Sequence, residues 1–254
     1  MVPLAVALLA AAALLATACG SAADQDEAAV QVAVAANFAA AQQELARSFT
    51  KATGYQVRTS VGSTGQLYAQ IVNGAPFDLL LAADRRRPRL LERRGSAVPG
   101  SRFTYARGRL VLYGPGLDSV RADGADLGAG RFTRLAVANP KTAPYGAAAR
   151  QALARLELAE QVALRTVWGE SVGQTYQFVR SGAAELGLVA LSQVVGEPES
   201  SYWTLPEALH SPLLQQAVLL EPGAGEPAAR AYLAFLRGVR ARRIIAAYGY
   251  EVAP

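Results

Sequence analysis

The chain of 254 residues contains one cysteine and one histidine. A lone cysteine excludes an internal disulfide, and together the two cannot assemble a Cys/His zinc site. A Ser/His/Asp triad would have to recruit His210, since there is no other imidazole. Zinc and triad chemistry therefore start at a disadvantage. Lysine is scarce too: of 25 basic residues, only Lys51 and Lys141 are not arginine. The net charge of +5 reads as a general arginine bias, not as a surface built for nucleic acid. Aromatic residues make up 7% and charged residues 18%. What is abundant is apolar: 52% of the residues are hydrophobic, enough to bury a sizeable core and to exclude global disorder. The length allows one large or two small domains.

Val2 to Ala18 is a run of 17 residues without a charge, rich in alanine and leucine, and Cys19 follows it at once. A short apolar stretch ending in small residues is an export signal, too short for a membrane span. The string Leu15-Ala16-Thr17-Ala18-Cys19 resembles the lipobox of bacterial lipoproteins, in which the cysteine receives the lipid anchor. Two features depart from it: Ala16 stands where leucine is commoner, and no basic residue precedes the run. A plain signal peptide is the alternative. Residues 1–18 are thus expected to be a lipoprotein signal peptide. Residues 19–28, small, polar and acidic, are expected to be a flexible tether.

From residue 30 onward, strand-like runs alternate with helical patterns. Expected strands include Val57–Val61, Phe77–Leu81, Leu110–Tyr113, Leu135–Ala138, Leu186–Leu191 and Leu214–Leu220. Expected helices include Phe38–Ala52, Arg85–Arg94, Gly146–Leu156, Gly173–Ser181 and Pro227–Leu236. Such alternation argues for an α/β protein with parallel sheets. A glycine-rich stretch between Gly114 and Gly130 suggests a boundary between two lobes. The expected division is residues 29–112 for the first part of lobe 1, 113–217 for lobe 2, and 218–254 for the return to lobe 1.

The chemistry lies in what precedes the helices. Ala36-Asn37, Gly62-Ser63-Thr64-Gly65, Asn139 to Gly146, and Glu170-Ser171-Val172-Gly173 each follow a strand and open a helix. A helix N-terminus offers free N–H groups and about half a positive charge. Small residues let an anion approach that backbone. The four strings carry one basic residue, Lys141, so they describe neutral donors suited to a compact dianion that must be released again. Any one of them alone is an ordinary N-cap or turn. Together, at the C-terminal ends of strands, they mark a ligand cleft.

These strings resemble those of periplasmic molybdate-binding proteins, the solute-binding subunits of molybdate ABC importers. Val32 to Phe38, Val61 to Gly65, Asn73 to Leu79 with Ala82 to Asp84, Pro99 to Tyr105, Asn139 to Gly146, Ser171 to Gln174 and Glu185 to Val189 carry the likeness in order. It implies a type II periplasmic-binding-protein fold, two α/β lobes hinged about a cleft. It also implies oxyanion contacts at Ala36 and Val172 through backbone N–H groups, and at Asn37, Thr64 and Tyr145 through side chains. Ser63 is a neighbouring candidate. No cofactor is implied; the ligand is molybdate or tungstate. The implied partners are an inner-membrane ABC permease and, through Cys19, the membrane itself, with the receptor monomeric and outside the cytoplasm.

The remaining polar residues read more simply. Asp78 and Asp84 are expected to bond neighbouring elements, since negative charge in the cleft would repel the ligand. The arginines between Arg85 and Arg94 read as a solvated helix face, with anionic lipid or the permease as the alternative. Trp168 and Trp203 are expected to pack in the second lobe, and His210 to lie at the surface or near the hinge. Two rivals stay open: a receptor for another tetrahedral oxyanion such as sulfate, and an enzyme on the same fold. Phosphate would ask for an acceptor such as Asp; the strings themselves supply none, although Glu170 adjoins the last. An enzyme would need a nucleophile or acid/base pair in the cleft.

Overall fold

The computed structural model describes residues 29–115, 125–130 and 132–252. Cys19, the apolar run before it, the tether and much of the glycine-rich stretch lie outside the described residues. Two five-stranded sheets organise the rest. In the first lobe, β1 (Ala29–Ala35), β2 (Gln56–Gly62), β3 (Leu79–Ala82) and β4 (Phe103–Gly108) alternate with α1 (Ala39–Thr53), α2 (Thr64–Val72) and α3 (Arg86–Arg93). A 3-10 turn, Ala36–Phe38, joins β1 to α1. The second lobe runs from β5 (Leu110–Tyr113) through α4 (Ala125–Ala129), β6 (Leu135–Ala138), α5 (Pro144–Arg155), α6 (Ala159–Ala163), β7 (Thr166–Gly169) and α7 (Val172–Arg180). It ends with β8 (Leu186–Ala190), α8 (Leu191–Val194) and β9 (Tyr202–Thr204). The chain then returns to the first lobe with β10 (Leu213–Leu219), α9 (Pro227–Arg237) and α10 (Val239–Ala247).

The strand orders are β2-β1-β3-β10-β4 and β7-β6-β8-β5-β9. Both sheets are mixed. The alternation of strands and helices predicts parallel pairing, and β1 does run parallel to β2 and β3, as β6 does to β7 and β8. However, β10 is antiparallel to β3 and β4, and β5 to β8 and β9. The antiparallel strands are those beside the crossings, where the chain enters a sheet directly from the other lobe and no crossover helix sets its direction.

The expected lobe boundaries move for the same reason. Leu110–Tyr113, assigned to lobe 1 from the sequence up to residue 112, pairs with Gly187–Ala190 of lobe 2. Leu213–Leu219, assigned mostly to lobe 2, pairs with β3 and β4 of lobe 1. The chain therefore crosses at Gly108–Arg109 and again at His210–Pro212. Arg107 and Arg109 beside the first crossing pair with Glu207 and Glu251, at 2.6 Å each for Arg107–Glu207 and Arg109–Glu251.

Strand alternation distributes the first core on two faces. Val32, Val34, Leu79 and Leu81 pack against α1, α9 and α10, while Ala33, Leu80 and Ala82 face α2 and α3. Central strands buried on both sides need continuous apolar runs, which the Leu79–Ala82 segment supplies. In the second lobe, the alanines of α5 (Ala148, Ala149, Ala152) lie against Leu135–Ala138 and Leu186–Ala190. Trp203 packs there as expected, but Trp168 is 55% exposed. It stands on β7, the edge strand of its sheet. His210 is buried, not at the surface, and lies at the second crossing. Among the described residues, no helix is long and apolar enough to cross a membrane.

Candidate functional site

All four strings lie at the C-terminal ends of parallel strands, and they meet where the two lobes face each other. The turn Ala36–Phe38 follows β1, α2 follows β2, the Asn139–Ala143 loop follows β6, and α7 follows β7. A cavity of about 440 Å3 opens between the lobes, lined among others by Ala36, Asn37, Gly62, Ser171, Gly173 and Ser192. A larger groove, about 820 Å3, lies between α1 and β2, lined among others by Ala46 and Val57, and it shares Ala39 and Val61 with the inter-lobe cavity.

In this structure the lobes touch. Gly65 N–H donates to the Thr142 carbonyl at 2.9 Å. Ser192 Oγ donates to the Asn37 carbonyl at 2.8 Å. Gln66 Nε2 reaches Glu170 Oε2 at 3.3 Å, and Arg87 Nη2 reaches the Lys141 carbonyl at 3.1 Å. A Cβ on Gly65 would lie 2.7 Å from the Thr142 oxygen, so only glycine permits this approach.

The side chains are set by bonds within their own lobes. Ser63 is the N-cap of α2: its hydroxyl accepts from Gln66 N–H, and Gln66 Oε1 accepts from Ser63 N–H. The Ser63 hydroxyl also donates to Gln66 Oε1 at 2.9 Å, so its proton is committed to the cap. Thr64 is fully buried, and its Oγ1 accepts from Ala83 N–H at 3.0 Å. With an acceptor position already filled, its own proton is left for something else.

Tyr145 follows the same logic from the other lobe. It is 1% exposed, and its hydroxyl accepts from Gln215 Nε2 at 3.3 Å. Burial, with the neighbouring Tyr250, pushes its phenol well above the usual tyrosine range, so it stays protonated. The approach requires Gly108, since a Cβ there would lie 2.0 Å from the Tyr145 hydroxyl and 2.6 Å from Gln215 Nε2.

Val172 is the first residue of α7, where N–H groups lack intrahelical partners. Ser171 caps that helix by accepting from Gln174 N–H at 3.2 Å. Ala36 opens the 3-10 turn, and its Cβ lies 3.1 Å from where a Cβ on Gly173 would be.

Asn37 differs from the simple picture. Its Nδ2 donates to Gln215 Oε1 and to the Tyr250 hydroxyl, both at 2.9 Å. Its Oδ1 is buried with no partner. Beneath it, Tyr105 donates to Gln215 Oε1 at 3.1 Å, and Tyr250 donates to the Asn37 carbonyl at 2.7 Å. Sequence reasoning passed over Gln215, Tyr250 and Ser192. One signal was present: Gln215-Gln216 is a polar pair inside the otherwise apolar run Leu213–Leu220. A polar side chain in a buried strand needs a partner, and that partner lies at the site.

The charged residues stay outside. Lys141 is exposed, and Arg87 is paired with Asp84. Asp84 Oδ1 also accepts from Arg87 N–H at 2.8 Å, and Asp78 Oδ2 accepts from Gln31 N–H at 2.7 Å, so both carboxylates serve the local structure. Among the described residues no group of three His, Cys, Asp or Glu could hold a metal ion.

The family model for bacterial extracellular solute-binding proteins matches residues 30–251. The chain belongs to this family. The solute-binding chain is 50% identical over 224 residues to the molybdate-binding protein ModA of Azotobacter vinelandii, covering 87% of this chain and 89% of that one. ModA of Rhodobacter capsulatus is 46% identical, covering 87% of each. A solved structure of a periplasmic molybdate-binding protein from Azotobacter vinelandii superposes with a TM-score of 0.85 at 39% identity, over 89% of this chain and all of the other. The two-lobed, type II architecture expected from the sequence is therefore that of the solute-binding protein.

Proposed function

We propose that this chain is the molybdate-binding component of an ABC importer, holding the oxyanion between its lobes outside the cytoplasm. One observation carries the reading. The buried hydroxyls of Thr64 and Tyr145, one from each lobe, already accept a protein N–H, from Ala83 and Gln215 respectively. Each is left to act as a donor, and donors are what a fully deprotonated dianion needs. Backbone N–H groups at Ala36 and Val172 would add neutral donors at helix starts, where the dipole favours an anion. Bonds to a charged acceptor contribute about 1.5–3 kcal/mol each, so several together offset the desolvation of the dianion without a counter-cation.

The names of the relatives support molybdate as the ligand and a receptor as the role. Tungstate, with the same shape and charge, is expected to bind the same contacts. Cys19 is proposed as the lipid attachment site, and the receptor is proposed to be a monomer that delivers to an inner-membrane permease. Calorimetric titration with molybdate, tungstate, sulfate and phosphate tests the central reading. Molybdate and tungstate should bind at least about a hundredfold more tightly than sulfate, a difference of about 2.7 kcal/mol. Tighter sulfate binding would overturn it. Mass spectrometry of membrane-purified protein should find an acylated N-terminal Cys19; a mature form starting elsewhere would remove the anchor.

A further inference from the structure

Gln215 joins the two side chains that face the oxyanion from opposite lobes. It is fully buried, at a register break in β10 between Gln215 and Gln216. Its Oε1 accepts hydrogen bonds from Asn37 Nδ2 and the Tyr105 hydroxyl of lobe 1, and its Nε2 donates to the Tyr145 hydroxyl of lobe 2. Both protons on Asn37 Nδ2 are spent inward, on Gln215 and Tyr250. In this arrangement Tyr145 is free to donate, while Asn37 has only its unpartnered Oδ1 to offer.

For Asn37 to donate to a dianion, its amide must turn over. Oδ1 would then meet Gln215 Oε1, two acceptors at about 2.9 Å, which is repulsive unless Gln215 turns with it. That second turn brings Oε1 to Tyr145, where it competes for the phenol proton. Refusing it leaves a buried carbonyl oxygen unpaired, at a cost comparable to a lost hydrogen bond.

We infer that Gln215 is a positioning residue that couples Asn37 and Tyr145, so that they serve the oxyanion as alternative donors and not as an additive pair. This deepens the oxyanion reading and rests on it. The coupling is visible as non-additivity, which packing at Gln215 alone would not produce.

The experiment is a double-mutant cycle read by molybdate titration, with Asn37→Ala, Tyr145→Phe and the pair together, in the natural chain and in Gln215→Met. In the natural chain each single substitution should weaken binding by about threefold, because the other donor takes over. The pair should weaken it by about a hundredfold, well beyond the product of the singles. In Gln215→Met the amide that links them is gone, and the two effects should multiply. Singles whose effects multiply in the natural chain would overturn the coupling. Equal non-additivity with and without Gln215 would overturn its assignment to that residue. If Gln215→Met does not fold, as judged by thermal unfolding, Gln215→Leu replaces it, and the cycle in the natural chain still decides the coupling. A natural chain that fails to bind molybdate defeats the oxyanion reading instead, so the two failures are distinct.

Discussion

Two helix starts in this molecule share nearly the same four residues and do different work. Helix α2 opens with Ser63-Thr64-Gly65-Gln66, and α7 opens with Ser171-Val172-Gly173-Gln174. In each the serine caps the helix and the glutamine reaches back to a backbone N–H, that of Ser63 in lobe 1 and of Glu170 in lobe 2. In each the glycine lies against the opposite lobe. The difference is the second position. Thr64 adds a hydroxyl fixed by Ala83 N–H, whereas Val172 offers only its backbone and an apolar side chain within the lobe 2 core. Lobe 1 therefore brings an oriented side chain on a polar foundation, and lobe 2 brings a bare helix end. The lesson is that a capping motif fixes where an anion can approach, while the residue beside it decides how many donors it meets.

The glycines should separate the two helices most sharply. A methyl at position 65 would lie 2.7 Å from the Thr142 carbonyl, a backbone atom that cannot swing aside. At position 173 the nearest atom would be the Ala36 Cβ at 3.1 Å, a contact that relaxes by a few tenths of an ångström. Gly65→Ala should thus hold the lobes apart and weaken molybdate binding by about a hundredfold or more, because binding selects the closed state. Gly173→Ala should cost only about threefold. Solution scattering should show that ligand no longer reduces the radius of gyration of Gly65→Ala. A normal contraction in that variant would mean that the lobes close by another route.

Swapping the second residue tests the donor count. Thr64→Val keeps the shape but removes the hydroxyl, and it leaves Ala83 N–H without its acceptor in a fully buried place. Affinity should fall about tenfold to a hundredfold, and folding stability by about 1–3 kcal/mol. The reciprocal Val172→Thr adds a hydroxyl to a helix end that already works through its backbone, and should change affinity by less than about threefold. Equal losses from both would show that shape matters at these positions, not hydrogen bonding.

Much of this was legible in the sequence because it is local. The strings that open α2 and α7 are small and hydroxyl-bearing residues in succession, so cap and helix start are read from adjacent positions. Helix α1 is expected over Phe38–Ala52 and found at Ala39–Thr53. What could not be read is what depends on pairing at a distance. The Leu110–Tyr113 and Leu213–Leu219 runs look like any core strands, and nothing local says which lobe each joins. The foundation under Asn37 is hidden for the same reason, since Gln215 is 178 positions away in sequence. The short strands β4, β7 and β9 escape notice because edge strands exposed on one side carry no continuous apolar run.

The buried tyrosines beneath the site, Tyr105 and Tyr250 of lobe 1 and Tyr145 of lobe 2, give it a pH signature. Burial raises the phenols of Tyr105, Tyr145 and Tyr250 above their ordinary value of 10.0. A raised folded-state value means that the folded protein keeps its phenol protons when the unfolded chain begins to lose them. That contribution to stability is fully present below about pH 10 and is lost as pH rises beyond it. Thermal unfolding should therefore show no tyrosine-linked change from about pH 7 to 9, followed by a decline above about pH 10. Tyr250→Phe should make that decline shallower; an unchanged slope would mean that this phenol ionises freely in the fold.

The smallest expected effect lies at the mouth of the cleft, on the α7 side. Glu170 is exposed beside the Ser171 cap and accepts from Gln66 Nε2 of lobe 1 at 3.3 Å. Its carboxylate does two opposing things. The bond to Gln66 joins the lobes, while its negative charge repels an incoming dianion. Glu170→Gln separates the two, because an amide oxygen still accepts from Gln66 but carries no charge. An exposed bond between neutral amides contributes little, and charges at the surface interact through water with energies of about 1 kcal/mol or less. The charge acts at long range, however, and on a ligand of two charges, so its removal should win by a small margin. Molybdate affinity should rise about twofold to threefold at low ionic strength, mainly through faster association. The gain should vanish near 1 M salt, where screening acts within about 3 Å. Titration at the two salt concentrations checks this. A loss of affinity at both would show that the contact between the lobes outweighs the repulsion, and that Glu170 holds the cleft shut instead of guarding its entrance.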